Sequence, residues 1–331
     1  MRAAGSIGGR TVYTHTLESD RAAVTVMSWG AAVQDWRMDV AGSARAMVLG
    51  YSDVEAYPEH SRAFGVIAGR VANRTAQGRF TLDGTTYQLP INNGPNHLHG
   101  GPEGLGKSHW GMEVQGNEAV QLTHVSPDGH MGYPGEVAFT VTITLRGGTV
   151  TWEMEGRPDR LTPINLAQHN YYTLGARTGI RHCPVMIAAR GYTPVDDVQI
   201  PTGEIRVVEG TRFDFRTARS VAEADPTGKV YDHNFVLDQG LGDAPSVVAQ
   251  NPDTGLGLKL WTDQPALQFF DAQHFDLALP GHDGIRMKGW PGMAFEPQHA
   301  PDSLNKPQWP SILYSPERPY FQRTSVEIGR V

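Results

Sequence analysis

From Val137 to Met154, apolar and polar positions alternate almost one for one. Val137, Phe139, Val141, Ile143 and Leu145 share one parity; after Gly147-Gly148, Val150, Trp152 and Met154 take the period up again. A period of two broken by a glycine pair predicts a β-hairpin with one buried face. RFTLDGTTYQL repeats the pattern, with Phe80 and Leu82 before an Asp83-Gly84 turn and Tyr87 and Leu89 after it. AAVTVMSW and LGLKLW read as further strands. Apolar spacing of three and four almost never lasts for the length a helix needs, and RSVAEAD predicts one short helical turn at most. The 38 glycines and 23 prolines suit a chain of many strands and turns. There is no internal repeat, low-complexity tract or linker-like shift in composition. The pattern therefore predicts an all-β fold, a large antiparallel β-sandwich, as a single domain over residues 1–331.

Composition narrows the function classes. A chain of 331 residues can bury a sizeable core. The net charge is -7, the isoelectric point is near 6.0, and no long basic run exists to neutralise phosphates. Neither a nucleic acid nor an anionic membrane is expected as a partner. Cys183 is the single cysteine, which excludes an intramolecular disulfide and a cysteine-only zinc site. No apolar run of about 18 residues is present, so no membrane span is expected. The opening MRAAGSIGGRTVYTHTL lacks a secretory apolar core, and the expected location is cytoplasmic.

The stretch NNGPNHLHGG concentrates two histidines, His97 and His99, among glycines and a proline. In a strand, both imidazoles would share one face. With Glu103 four residues on, they resemble the His-x-His-x3-Glu core of cupin metalloenzymes. That pattern places glycines where this chain has Ile91 and Trp110. A solvated turn is a second reading, and a sugar acid/base site a third.

The wider chain bears on the choice. GVIAGRVANRTAQGRFTLDGTTYQLPINN lies upstream; TPINLAQHNYYTLG, VYDHNFVL, QPALQFFDAQ and GMAFEPQHAPDSLN follow downstream. In this order the pieces resemble the aldose 1-epimerases, or galactose mutarotases, from about Gly65 to Asn305. The resemblance implies the galactose mutarotase-like supersandwich fold and interconversion of the α and β anomers of an aldose. It implies no cofactor and no metal, and a free aldose as partner, with the protein a monomer or homodimer. Position by position, it makes Glu296 the general base and His169 the general acid. His99, directly before the two glycines, supports the ring oxygen, and Arg74, Asn73, Asp232 and Gln268 bind sugar. Tyr172 and Thr173 replace the family's Phe and Asn after His169, and Pro297 follows Glu296; these departures bear on which sugar fits.

The chemistry asks for such groups. Opening a cyclic hemiacetal takes a base for the anomeric hydroxyl and an acid for the ring oxygen, and reclosure reverses them. Burial of Glu296 beside Met293, Ala294 and Phe295 would raise its pKa toward neutrality. Arg74 offers a fixed charge and a planar donor fork. Each residue also has a structural reading: Glu296 as a loop carboxylate, His169 as a core histidine, Asp232 as a turn cap, Arg74 as an ion-pair partner. For Gln268, alternation says only that it faces away from Phe269. Two alternatives stand beside the epimerase: a non-catalytic sugar-binding module of the same fold, and the cupin-like enzyme using His97, His99 and Glu103.

Overall fold

The computed structural model describes residues 1–238 and 242–330. Among these residues the strands form three principal antiparallel sheets. A five-stranded meander runs from Arg2–Ile7 through Ser43–Ala46. The predicted hairpin, Val137–Arg146 and Thr149–Pro158, lies within a nine-stranded sheet. Its register pairs Val141 with Met154, Ile143 with Trp152 and Leu145 with Val150. All six of these side chains are buried, as the period of two requires. Gly147 takes φ +55°, the positive value that a two-residue hairpin turn demands. In the second hairpin Asp83 and Gly84 are both at positive φ, as in a type I′ turn, and Phe80 stacks on Tyr87 at 5.1 Å. AAVTVMSW and LGLKLW yield the strands Ala22–Met27 and Leu256–Thr262.

The third sheet has six strands, in the order Tyr171–Tyr172, Met293–Gln298, Ala266–Phe270, Asp232–Leu237, Ala189–Thr193 and Arg206–Val207. Directly paired residues in an antiparallel sheet point to the same face. One face of this sheet therefore carries Met293, Phe295, Leu267, Phe269, Phe235 and Leu237, which join Trp36, Trp152 and Val326 in a core contacted by all three sheets. Phe269 stacks on Phe295 at 5.2 Å. The opposite face carries Glu296, Gln268, Asn234 and Asp232. The apolar face fixes the register, and the register in turn fixes where the polar side chains stand.

Helix is scarce among the described residues. RSVAEAD gives the expected single turn, Val221–Ala224, closed by a reciprocal capping box between Ser220 and Glu223. A second turn, Tyr57–His60, carries Pro58 near its start and gave no periodic signal because four residues are too few to show one.

Candidate active site

A cavity of about 520 Å³ opens over the polar face of the six-stranded sheet. Glu296, His169, His99, Asn73, Arg74 and Asp232 all line it. These residues are far apart in the sequence, and the pieces that bear them meet only in the fold.

Glu296 lies on the central strand Met293–Gln298, every residue of which is buried. His169 follows the short strand Ala167–Gln168, which packs on that strand; Gln168 Nε2 donates to the Phe295 carbonyl at 2.7 Å. His169 Nε2 thereby comes within 3.4 Å of Glu296 Oε2, a close approach without hydrogen-bond alignment. Tyr171 supports the imidazole, with ring centroids 5.0 Å apart and 28° between the planes.

Burial acts on the pair in opposite senses. It pushes the Glu296 carboxyl well above its ordinary value; the Asp232 charge adds to the rise and Arg74 opposes it. Burial also pushes the His169 imidazole down to about 4. Both shifts favour the neutral pair, a carboxylic acid facing an imidazole, in the empty cavity.

His99 is held differently. The backbone N–H of Asn73 donates to His99 Nδ1 at 3.1 Å, and the N–H of His99 donates back to the Asn73 carbonyl at 3.0 Å. An acceptor at Nδ1 leaves the proton on Nε2. Burial, then the nearby His169 and Arg74, depress the His99 pKa well below its ordinary value. His99 is therefore a neutral donor. The following Gly100, at φ +82°, admits no side chain: a Cβ there would collide with the Gly69 carbonyl. That close approach explains the glycine after His99 in HLHGG.

Arg74 is oriented by two acceptors. Its Nε donates to Asn93 Oδ1 at 3.0 Å and its Nη2 to Asp232 Oδ2 at 3.1 Å. Gln268 Nε2 donates to Asp232 Oδ1 at 2.6 Å. Gln268 stands behind Asp232 and does not line the cavity, so its contact is with the carboxylate that faces the cavity. Gln268 and Glu296 are direct cross-strand partners.

The structure separates the two histidines of NNGPNHLHGG. The strand His97–Leu98 ends before His99, whose φ is +52°, so the shared face does not form. His97 turns into the protein, with Nδ1 on the Pro90 carbonyl at 2.7 Å and Nε2 on the Tyr133 hydroxyl at 2.8 Å. Both nitrogens are used, and Glu103 is exposed. The cupin-like set of His97, His99 and Glu103 is thus not assembled. The histidine–carboxylate cluster that does form is His99, His169 and Glu296, whose nitrogen and oxygen atoms lie within 4.8 Å of one another. Metal ligation by His99 Nε2 would move its proton to Nδ1, against the Asn73 N–H, so the donor set fits hydrogen bonding better than a cation.

Sequence reasoning missed Tyr171, Asn93 and the mouth residues Trp29, Arg62 and Lys107. Tyr171 lies two residues after the proposed acid, but an aromatic in YY carries no sign that one ring braces an imidazole. Asn93 lies within the histidine-rich stretch and is recruited by Arg74 across a loop that no local pattern reveals.

The cavity is a polar cleft, lined by one carboxylic acid and two imidazoles in close approach, on a large antiparallel β-sandwich. The chain belongs to the aldose 1-epimerase family, whose profile matches residues 13–327. It is 39% identical over 322 residues to the galactose mutarotase of Rattus norvegicus, covering 96% of this chain and 94% of that one. It is 37% identical over 298 residues to the aldose 1-epimerase of Escherichia coli K12, covering 87% and 86%. Among solved structures, galactose 1-epimerase from Lactobacillus acidophilus superposes with a TM-score of 0.86 at 26% identity, covering 99% of this chain and 98% of that one. An aldose epimerase homologue from C. elegans gives 0.92 at 24% identity, covering 97% and 99%, a likeness of fold. Among the described residues no helix is long and apolar enough to cross a membrane.

Proposed function

We propose that this protein interconverts the anomers of a free aldose by acid/base ring opening between Glu296 and His169. The observation that carries the assignment is their 3.4 Å approach inside the cavity, with burial driving their proton affinities in opposite directions. With closed sugar bound, the pair holds one proton as carboxylate and imidazolium. Glu296 takes the anomeric hydroxyl proton as His169 protonates the ring oxygen, and the C1–O5 bond breaks. The open-chain aldehyde then faces a carboxylic acid and a neutral imidazole. Burial favours that uncharged pair, so the site lowers the cost of ring opening. Rotation about C1–C2 presents the other face of the carbonyl, and the same proton transfers run backwards.

His99 donates Nε2–H to the ring oxygen as charge develops there, and Arg74 adds its guanidinium. Asp232, held by Arg74 and Gln268, and Asn73 position hydroxyls; Gln268 works through Asp232. Only protons pass between sugar and protein, and in this reading residues 1–331 act as one catalytic domain in the cytoplasm, as a monomer or homodimer.

Magnetisation exchange between the α and β anomeric protons of galactose tests the activity without a coupled enzyme. Exchange that rises with protein concentration and is indifferent to a chelator supports a metal-free epimerase. Exchange abolished by the chelator and restored by a divalent cation would overturn that chemistry.

A further inference from the structure

The site face of the six-stranded sheet continues past the residues used above. Thr193 pairs with Asn234, Asn234 with Gln268, and Gln268 with Glu296, so the four side chains form one row across four strands. Gln298 lies two residues beyond Glu296 on the same face. Thr193, Asn234 and Gln298 are each at most 1% exposed and do not line the sugar cavity. Within the protein, Thr193 Oγ1, both amide atoms of Asn234 and both amide atoms of Gln298 have no hydrogen-bond partner. Gln268 Oε1, in the same row, has none either, whereas the unpaired Glu296 Oε2 faces His169 in the cavity.

Six polar atoms on one buried patch need an explanation. Each one left unpaired costs about 1–3 kcal/mol, too much in total for a fold stable by 5–15 kcal/mol. A sugar cannot supply the partners, because the outer three residues are sealed from the cavity. Ordered water can, since a buried water typically makes about three hydrogen bonds and belongs where several polar groups converge.

We infer that Thr193, Asn234 and Gln298 hold a cluster of ordered waters against the side of Gln268 and Glu296 that faces away from the sugar, and so act as positioning residues for the catalytic carboxylate. The inference rests on the proposed role of Glu296. The cluster completes the hydrogen bonding of Gln268, the direct cross-strand partner of Glu296, and reaches the carboxylate from its sugar-distal side. The other groups facing Glu296 are His169, His99, Asp232, Arg74 and the Tyr171 ring. None of them lies on the row behind it, so the cluster is a separate handle on its ionisation.

Two experiments decide the matter. A high-resolution crystal structure of the wild-type protein should show waters within hydrogen-bond distance of Asn234 and Gln298, in a chain reaching Gln268 or Glu296; a dry, apolar gap there would overturn the inference. In kinetics, Asn234→Leu and Gln298→Met should move the acidic limb of the kcat profile upward by about one pH unit, with kcat at pH 6 down about tenfold and KM for the sugar unchanged. Gln298→Asn, which keeps the amide, should restore most of the rate. An unmoved limb with unchanged kcat would reduce the row to a structural role. If the larger replacements fail to fold, Thr193→Val removes a single hydroxyl, and the crystallographic waters decide independently. Absence of epimerase activity in the wild type would refute the proposed function and leave the water cluster to stand or fall on the crystal structure.

Discussion

Replacing Glu296 by Gln should make the protein more stable, and increasingly so as the pH rises. The wild-type carboxyl is buried in the folded state, where burial first and Asp232 second hold its pKa well above its ordinary value of 4.5. A raised folded pKa contributes stability that is complete below about pH 4.5 and is lost as the pH climbs through the folded pKa. Within that window the unfolded chain is ionised while the folded carboxyl keeps its proton, and stability falls by about 1.4 kcal/mol per pH unit. Gln is nearly isosteric and carries no titrating group, so Glu296→Gln escapes this loss. His169, depressed to about 4, has the opposite dependence, gaining stability as the pH rises from 4 to 6.5, but it is present in both proteins and cancels in the difference. Urea unfolding of both proteins at half-unit steps from pH 5 upward measures that difference directly. A difference that is flat with pH, or that favours the wild type as the pH rises, would mean that Glu296 is ionised in the empty folded protein, and the burial argument would fail.

Other sites make separate demands. Arg70 is buried, and its guanidinium donates to the carbonyls of Pro134, Gly135 and Ser126 and to Ser126 Oγ at 2.7–3.0 Å; Arg70→Met strands these acceptors and should cost about 3–5 kcal/mol by denaturant titration. His97→Leu should lower stability by about 1–3 kcal/mol through the orphaned Pro90 carbonyl and Tyr133 hydroxyl, yet leave kcat near the wild-type value; a large loss of kcat in a folded variant would return His97 to the site. Gln268→Leu frees Asp232 from one of its two holders and should raise KM about tenfold or more with a smaller change in kcat, read from initial rates over a galactose series. Phe269→Ala removes the ring stacked on Phe295 beneath the strand that bears Glu296 and should cost about 3–5 kcal/mol, read as a lowered thermal midpoint.

The strands were legible wherever one face meets the core and the other meets solvent. Val137–Met154 shows this best, because its alternation is copied directly into burial. The central strand Met293–Gln298 was not legible as a strand, because it is buried on both faces and MAFEPQ shows no alternation to read. Its polar residues were found through the family pattern, and the sheet register then explained why Gln268 and Glu296 are neighbours. Glu296, His169, His99, Arg74, Asn73 and Asp232 converge as the sequence suggested. The place of Gln268 behind Asp232, and the inward turn of His97, depend on backbone geometry that residue identity does not carry. The positive φ of His99 is the clearest case, since a two-residue period had placed both histidines together. Thr193, Asn234 and Gln298 were invisible for a related reason: they matter through a row that exists only once four distant strands are aligned.

The most direct test of the account is polarimetry on freshly dissolved α-D-galactose, with wild-type protein and Glu296→Gln side by side at pH 7. The account predicts that wild type speeds the approach to the anomeric equilibrium and that the folded variant is slower by about 10²–10⁴-fold, the usual contribution of a positioned acid or base. A variant as fast as wild type, or a wild type inert toward galactose, glucose and the aldopentoses alike, would contradict it.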